Sequence, residues 1–160
     1  MYRSILIAVD SDEPDSWAEA LPVAAALARC FSARLTLCSV VRDVEAELQA
    51  EWSPIGYREM LELARIRLLE LTETLPDLQV DIEVGTGTIC RGVLEVAERV
   101  RADLIVLASH VPELKDYLLS ANAARVARRA ACSVLVVRRQ TASSDSADEA
   151  AAGDACAAAG

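Results

Sequence analysis

Ile5-Leu6-Ile7-Ala8-Val9-Asp10 is the stretch that decides the fold. Its apolar run is unbroken and stops at a carboxylate. A strand half open to water alternates apolar and polar side chains. A strand covered on both faces does not, and such strands belong to parallel sheets with helices on either side. Asp103 to Ala108 reads the same way, and Cys132 to Arg138 is the last strand. Arg34 to Val41 is a further strand, with Leu35, Leu37 and Val40 as its apolar residues. Leu78 to Val84 differs, because Leu78, Val80, Ile82 and Val84 alternate with Gln79, Asp81 and Glu83. That pattern predicts a strand with one wetter face, near a sheet edge.

Helical patterns lie between these strands. Pro14 to Phe31 is predicted as a helix, with Asp12 as a candidate N-cap and Trp17, Leu21, Ala24 or Ala25, and Ala28 at helical spacing. Pro54 to Leu75 is a long amphipathic helix closed by Pro76-Asp77. Gly85-Thr86-Gly87-Thr88 reads as a turn, with Thr88 capping a helix from Ile89 to Arg101. Tyr117 to Ala131 is the last helix, and Arg42 to Ser53 carries no clear pattern. The order β-α-β-α-β-α-β-α-β predicts a doubly wound, open five-stranded parallel sheet with helices on both faces.

Composition bounds the rest. The chain has 160 residues, enough for one domain with a core. The expected organisation is one domain over residues 1–139 and an acidic, Ala/Ser-rich disordered tail over 140–160. The net charge is −9, and the tail holds Asp145, Asp148, Glu149 and Asp154 without a base, which leaves the body at −5. An acidic body argues against nucleic acid as a partner. Apolar runs are too short for a spanning helix, and the start lacks the features of a signal peptide, so the expected place is the cytoplasm with no membrane. The five cysteines are odd in number and show no CxxC spacing. Cys30, Cys38, Cys90 and Cys132 sit in apolar segments and read as buried, inert thiols of a reducing compartment; Cys156 lies in the tail and is assigned no function.

Ligands of open α/β sheets bind beyond the carboxyl ends of the strands, where the chain order reverses. Asp10 ends the first strand; it can bond a ligand or cap its own loop. His110 is the only histidine, so it cannot be half of a histidine pair; it can bond backbone or meet a ligand. No GxSxG, HExxH, Walker or GxGxxG pattern is present. Nothing predicts rapid catalysis or a metal site. Six glycines are present, and none lies between Ala108 and Ala131, where a phosphate cradle would need close backbone approach. Ser120-Ala121-Asn122-Ala123 opens a helix, whose free N–H groups can meet an anion or be capped in the ordinary way.

The blocks Arg3 to Asp10, Ala102 to His110, Leu118 to Val126 and Cys132 to Arg138, in this order, resemble the universal stress protein family. The Ala108-Ser109-His110-x-Pro112-x-Leu114 block resembles the branch of the enterobacterial F and G members. The resemblance implies a sheet order of 3-2-1-4-5 and a stress-response regulator that binds ATP, with or without Mg, and hydrolyses it slowly at most. By position it implies Ala8, Val9, Asp10 and Val40 around adenine, and Ala108, Ser109 and His110 at ribose or phosphate. Ser120, Ala121, Asn122 and Ala123 would offer donors to the phosphates, and Ser133 and Val134 would sit near the ribose. Nucleotide binders of the family carry Gly-x-x-Gly, nine residues, then Gly-Ser or Gly-Thr. Here Ala108, Val111 and Ser120 stand at the three glycines, and the spacer is eight residues long. The alternative is therefore a non-nucleotide interaction module that acts through dimers and a protein partner. The family's last strand commonly pairs with its twin, which implies a homodimer through Val134, Leu135, Val136 and Val137.

Overall fold

The structure is a computed structural model that describes residues 1–10, 17–42, 54–109 and 121–138. Its sheet is built from β1 (Ser4–Ala8), β2 (Arg34–Val41), β3 (Val80–Thr86), β4 (Leu104–Ser109) and β5 (Ser133–Arg138). The strands are parallel and stand in the order β3-β2-β1-β4-β5. Four helices join the description: α1 (Ala20–Phe31), α2 (Pro54–Glu73), α3 (Ile89–Arg99) and α4 (Ala121–Arg129).

Two cores flank the sheet, which is why β1 reads as continuously apolar. Ile5 and Ile7 enter one core with Ala24, Ala28 and Leu68, and Leu6 enters the other with Val93, Val96 and Val126. All three β1 side chains are fully buried. β3, the strand with alternating pattern, is indeed an edge. Its Val80, Ile82 and Val84 face the first core.

Helix ends move for local reasons. α1 begins at Ala20 rather than Pro14, with Trp17–Glu19 in a turn. Pro22 sets this start, because a proline fits only the first turn of a helix. The Trp17 carbonyl accepts from the N–H groups of Ala20 and Leu21 at 3.0 and 2.9 Å. α2 stops at Glu73, two residues early, because a residue before proline avoids helical geometry and Pro76 follows Leu75. α3 ends at Arg99, because Arg101 turns left-handed at φ 52°. Gly85 and Thr86 belong to β3, so only Gly87, at φ 92°, and Thr88 make the turn. Thr88 caps α3 as expected, its hydroxyl accepting from Arg91 N–H at 3.4 Å.

Candidate functional site

Chain parting between β1 and β4 creates the candidate site. The two strands stay paired from Ile5↔Leu104 to Ile7↔Val106. Beyond that point β1 leans on β2, and Val9 N–H donates to the Cys38 carbonyl at 2.7 Å. β4 instead continues beside β5, through Ala108↔Val137 to Ser109↔Arg138. This parting, between Ala8-Val9-Asp10 and Ala108-Ser109, is where an open α/β sheet forms its crevice at the carboxyl ends. This is the switch point of the order β3-β2-β1-β4-β5.

Packing fixes the crevice walls. Val9 is buried in the first core. Asp10 is exposed, and its carbonyl accepts the Trp17 indole N–H at 3.0 Å, which anchors the strand end. Ala108 packs its methyl against the first core. Among the described residues, positive φ outside glycine occurs only at Ser32 and Arg101, so position 108 does not need a glycine's freedom. On the β2 side, Val40 wedges into the space left by two glycines. A Cβ on Gly92 would lie 2.7 Å from Val40 Cγ1, and one on Gly85 would lie 3.3 Å from Val40 Cγ2.

Helix α4 runs back against the strands, as a crossover helix must, so its first residues lie at the carboxyl end of the sheet. Ala121 is exposed, Asn122 half-buried and Ala123 buried in the second core. His110 and Ser120 lie outside the described residues, as do Asp12, Val111, Cys156 and the tail 140–160.

One expectation is corrected. Ser133 and Val134 do not join the crevice. They pair with Leu104 and Ile105, at the amino end of the sheet, and Ser133 N–H donates to the Asp103 carbonyl at 3.3 Å. Four residues of extended strand, roughly 13 Å, separate Ser133 from Val137. The residue that the strand does bring to the carboxyl end is Arg138, exposed and in register with Ser109. By strand alternation it shares the side of Val134 and Val136, the side on which α4 packs. Counting back from the last residue of the final strand, rather than forward from its first, would have found it.

The thiols also divide. Cys38 and Cys90 are buried, Cys132 is half-buried, and Cys30, expected inside, is exposed on α1. Burial, with Glu83 nearby, pushes the Cys38 thiol up to about 12, so it stays protonated and inert. Burial also raises the Cys132 thiol, with Asp103 adding to the effect. Among the described residues no group of three or more His, Cys, Asp or Glu could hold a metal ion, and no helix is long and apolar enough to cross a membrane.

Known proteins share this architecture. Universal stress protein G of Escherichia coli O157:H7 is 37% identical over 65 residues, which cover 41% of this chain and 46% of that relative; the same figures hold for the Shigella flexneri protein. The match thus spans about half the length of these curated relatives. Among solved structures, universal stress protein UspA from Lactobacillus plantarum superposes with a TM-score of 0.65 at 22% identity, covering 86% of this chain and 98% of that one. A universal stress protein in complex with cAMP gives 0.59 at 22% identity, over 87% and 98% of the two chains. The Archaeoglobus fulgidus universal stress protein in complex with dAMP gives 0.53 at 16% identity, over 84% and 97%. These likenesses show the fold. The profile of the Universal stress protein family matches residues 1–138, and the chain belongs to that family.

Proposed function

We propose that this chain is an ATP-binding regulator of the stress response, cytoplasmic and dimeric, with little or no turnover. The observation that carries the reading is the crevice where β1 and β4 part. Two relatives of the same fold are complexes with cAMP and dAMP, so adenine nucleotides are the ligand class to test. Ala8, Val9, Asp10 and Val40 would line the adenine, and Ala108, Ser109 and His110 the ribose or phosphate. The Ser120 to Ala123 segment would supply phosphate donors. Substitution of the first glycine by Ala108 fits this reading, because its methyl turns into the core. Arg138 adds a positive charge at the same sheet end.

A second reading, a non-nucleotide module that acts through dimers and a partner protein, draws on Ser120 in place of the loop glycine. The two separate cleanly. Purified protein is denatured and assayed for released adenine nucleotide, and thermal stability is followed against ATP–Mg. Binding to the native state alone must raise the Tm. Carried nucleotide or a rising Tm supports the first reading. Neither, at millimolar ATP, leaves the second. Ser120→Gly is expected to tighten ATP binding, and unchanged or weaker affinity would show that phosphate is held by another route.

A further inference from the structure

We propose that a groove along the free edge of β3 is a second anion site, remote from the crevice, which takes a phosphate dianion, free or as the head of a small ester. β3 has no strand beyond it, and the groove of about 660 Å³ follows this edge. Its walls come from β2, β3, α2 and the end of α3. Arg34 and Val80 open their strands, so the groove sits toward the amino ends, opposite to the parting of β1 and β4.

Charge is the first argument. Arg34, Arg65, Arg99 and Arg101 line the groove against two acids, Asp81 and Glu83. Arg34 pairs with Asp81 at 3.5 Å and Arg99 with Glu83 at 3.1 Å. Arg65 and Arg101 have no ion pair among the described residues. The groove thus holds two surplus positive charges on a chain whose net charge is −9. A lone surface arginine is ordinary, but a net dication on an acidic protein marks a place for an anion.

Thr36 is the second and independent argument. It is 1% exposed, it belongs to the groove lining, and its hydroxyl has no hydrogen-bond partner. A buried hydroxyl without a partner is destabilising, and native structures rarely keep one without cause. Thr36 shares a strand with Arg34 two residues away and is in register with Asp81, so by strand alternation its side chain leaves the sheet on the face of Arg34, Asp81 and Glu83, opposite to α2. The hydroxyl oxygen is covered, so an anion oxygen in the groove would become its acceptor only after a small shift of the lining side chains.

Arg101 adds a third feature. It sits just after α3 at φ 52°, where Ala102 N–H reaches back to the Ala97 carbonyl at 2.8 Å. Glycine is the residue that suits this left-handed position. An arginine is held there against backbone preference, with its side chain in the groove lining.

Guanidinium groups match phosphate oxygens in a two-pronged fashion, and two surplus charges match a phosphomonoester near neutral pH. Leu69, Val80 and Ile82 offer an apolar wall to an organic remainder. A peptide with a row of carboxylates would meet Asp81 and Glu83 along the same edge, which disfavours it.

Calorimetry on the full chain tests this with inorganic phosphate, phenyl phosphate and poly-glutamate. Saturable, salt-sensitive phosphate binding is expected. Tighter binding of phenyl phosphate assigns the site to an ester, and equal binding to the free ion. R101G and R65Q should each weaken binding about tenfold, the scale of one charged hydrogen bond. R101G should at the same time raise the Tm by about 2–4 °C through relief of the left-handed strain. Loss of binding in that variant therefore cannot be loss of fold. Both arginines lie toward the amino ends of the strands, remote from the crevice, so loss of phosphate binding in these two variants separates this site from the nucleotide reading. Absence of saturable phosphate binding, binding indifferent to both arginine substitutions, or binding of poly-glutamate alone would overturn the proposal.

Discussion

Gly92 sets how closely α3 approaches the end of β2, and so where one wall of the crevice stands. An added Cβ would lie 2.7 and 2.9 Å from the two Val40 methyls and 3.1 Å from the Thr86 carbonyl oxygen. Neither neighbour can yield freely, because one is a stiff β-branched side chain and the other is strand backbone. Gly92→Ala is therefore expected to cost about 1–3 kcal/mol through overpacking. Urea unfolding should show a lower midpoint with an unchanged slope, and an unchanged midpoint would mean that Val40 has room to move. This contact was hidden in the sequence. The spacing shows that glycines occur at 85 and 92, but only the assembled fold shows that both face Val40. Asp10 and Ala108 were legible, because a strand end is visible as the place where an apolar run stops. Arg138 follows from the same rule, but only when the last strand is counted back from its carboxyl end and not forward from Ser133.

Strands were easier to read than helix ends. Burial on both faces removes polar residues from β1 and β4, and that leaves an unmistakable run. Helix limits instead depend on single residues that act against the pattern: Pro22 for α1, Pro76 for α2 and the left-handed Arg101 for α3. Tertiary anchors of strands leave even less trace. Asp103, just before β4, accepts from Arg3 N–H at 2.8 Å and from Ser4 N–H at 3.2 Å. Ser4 hydroxyl in turn donates to the Val100 carbonyl at 3.2 Å. One carboxylate thus holds the starts of two neighbouring strands across a separation of about a hundred residues. Asp103→Ala should destabilise by about 1–3 kcal/mol, because two backbone donors lose their acceptor. Asp103→Asn, which keeps one carbonyl oxygen, should lose less. Equal urea midpoints for the two variants would show that water replaces the carboxylate without loss.

At the scale of the whole molecule, the sheet has two free edges of unlike character. β3 carries Asp81, Glu83 and the nearby arginines, and charge on an edge discourages pairing with another chain. β5 carries Val134, Leu135, Val136 and Val137, all only half-buried within one protomer. Their side chains already pack on the two cores, yet each keeps exposed area beside an open row of backbone groups. Pairing with a second β5 would satisfy that row and cover the remaining apolar surface. This asymmetry is the reason to propose a dimer through β5 and not through β3. Sedimentation at micromolar concentration should give twice the 17.2 kDa chain, and the Tm should rise with protein concentration. Val136→Lys should shift the population to monomer, because an ammonium group would have to be buried between two apolar strands. Glu83→Lys, on the other edge, should leave the dimer intact. A wild-type chain that sediments as a single monomeric species, with a Tm independent of concentration, would refute pairing through β5.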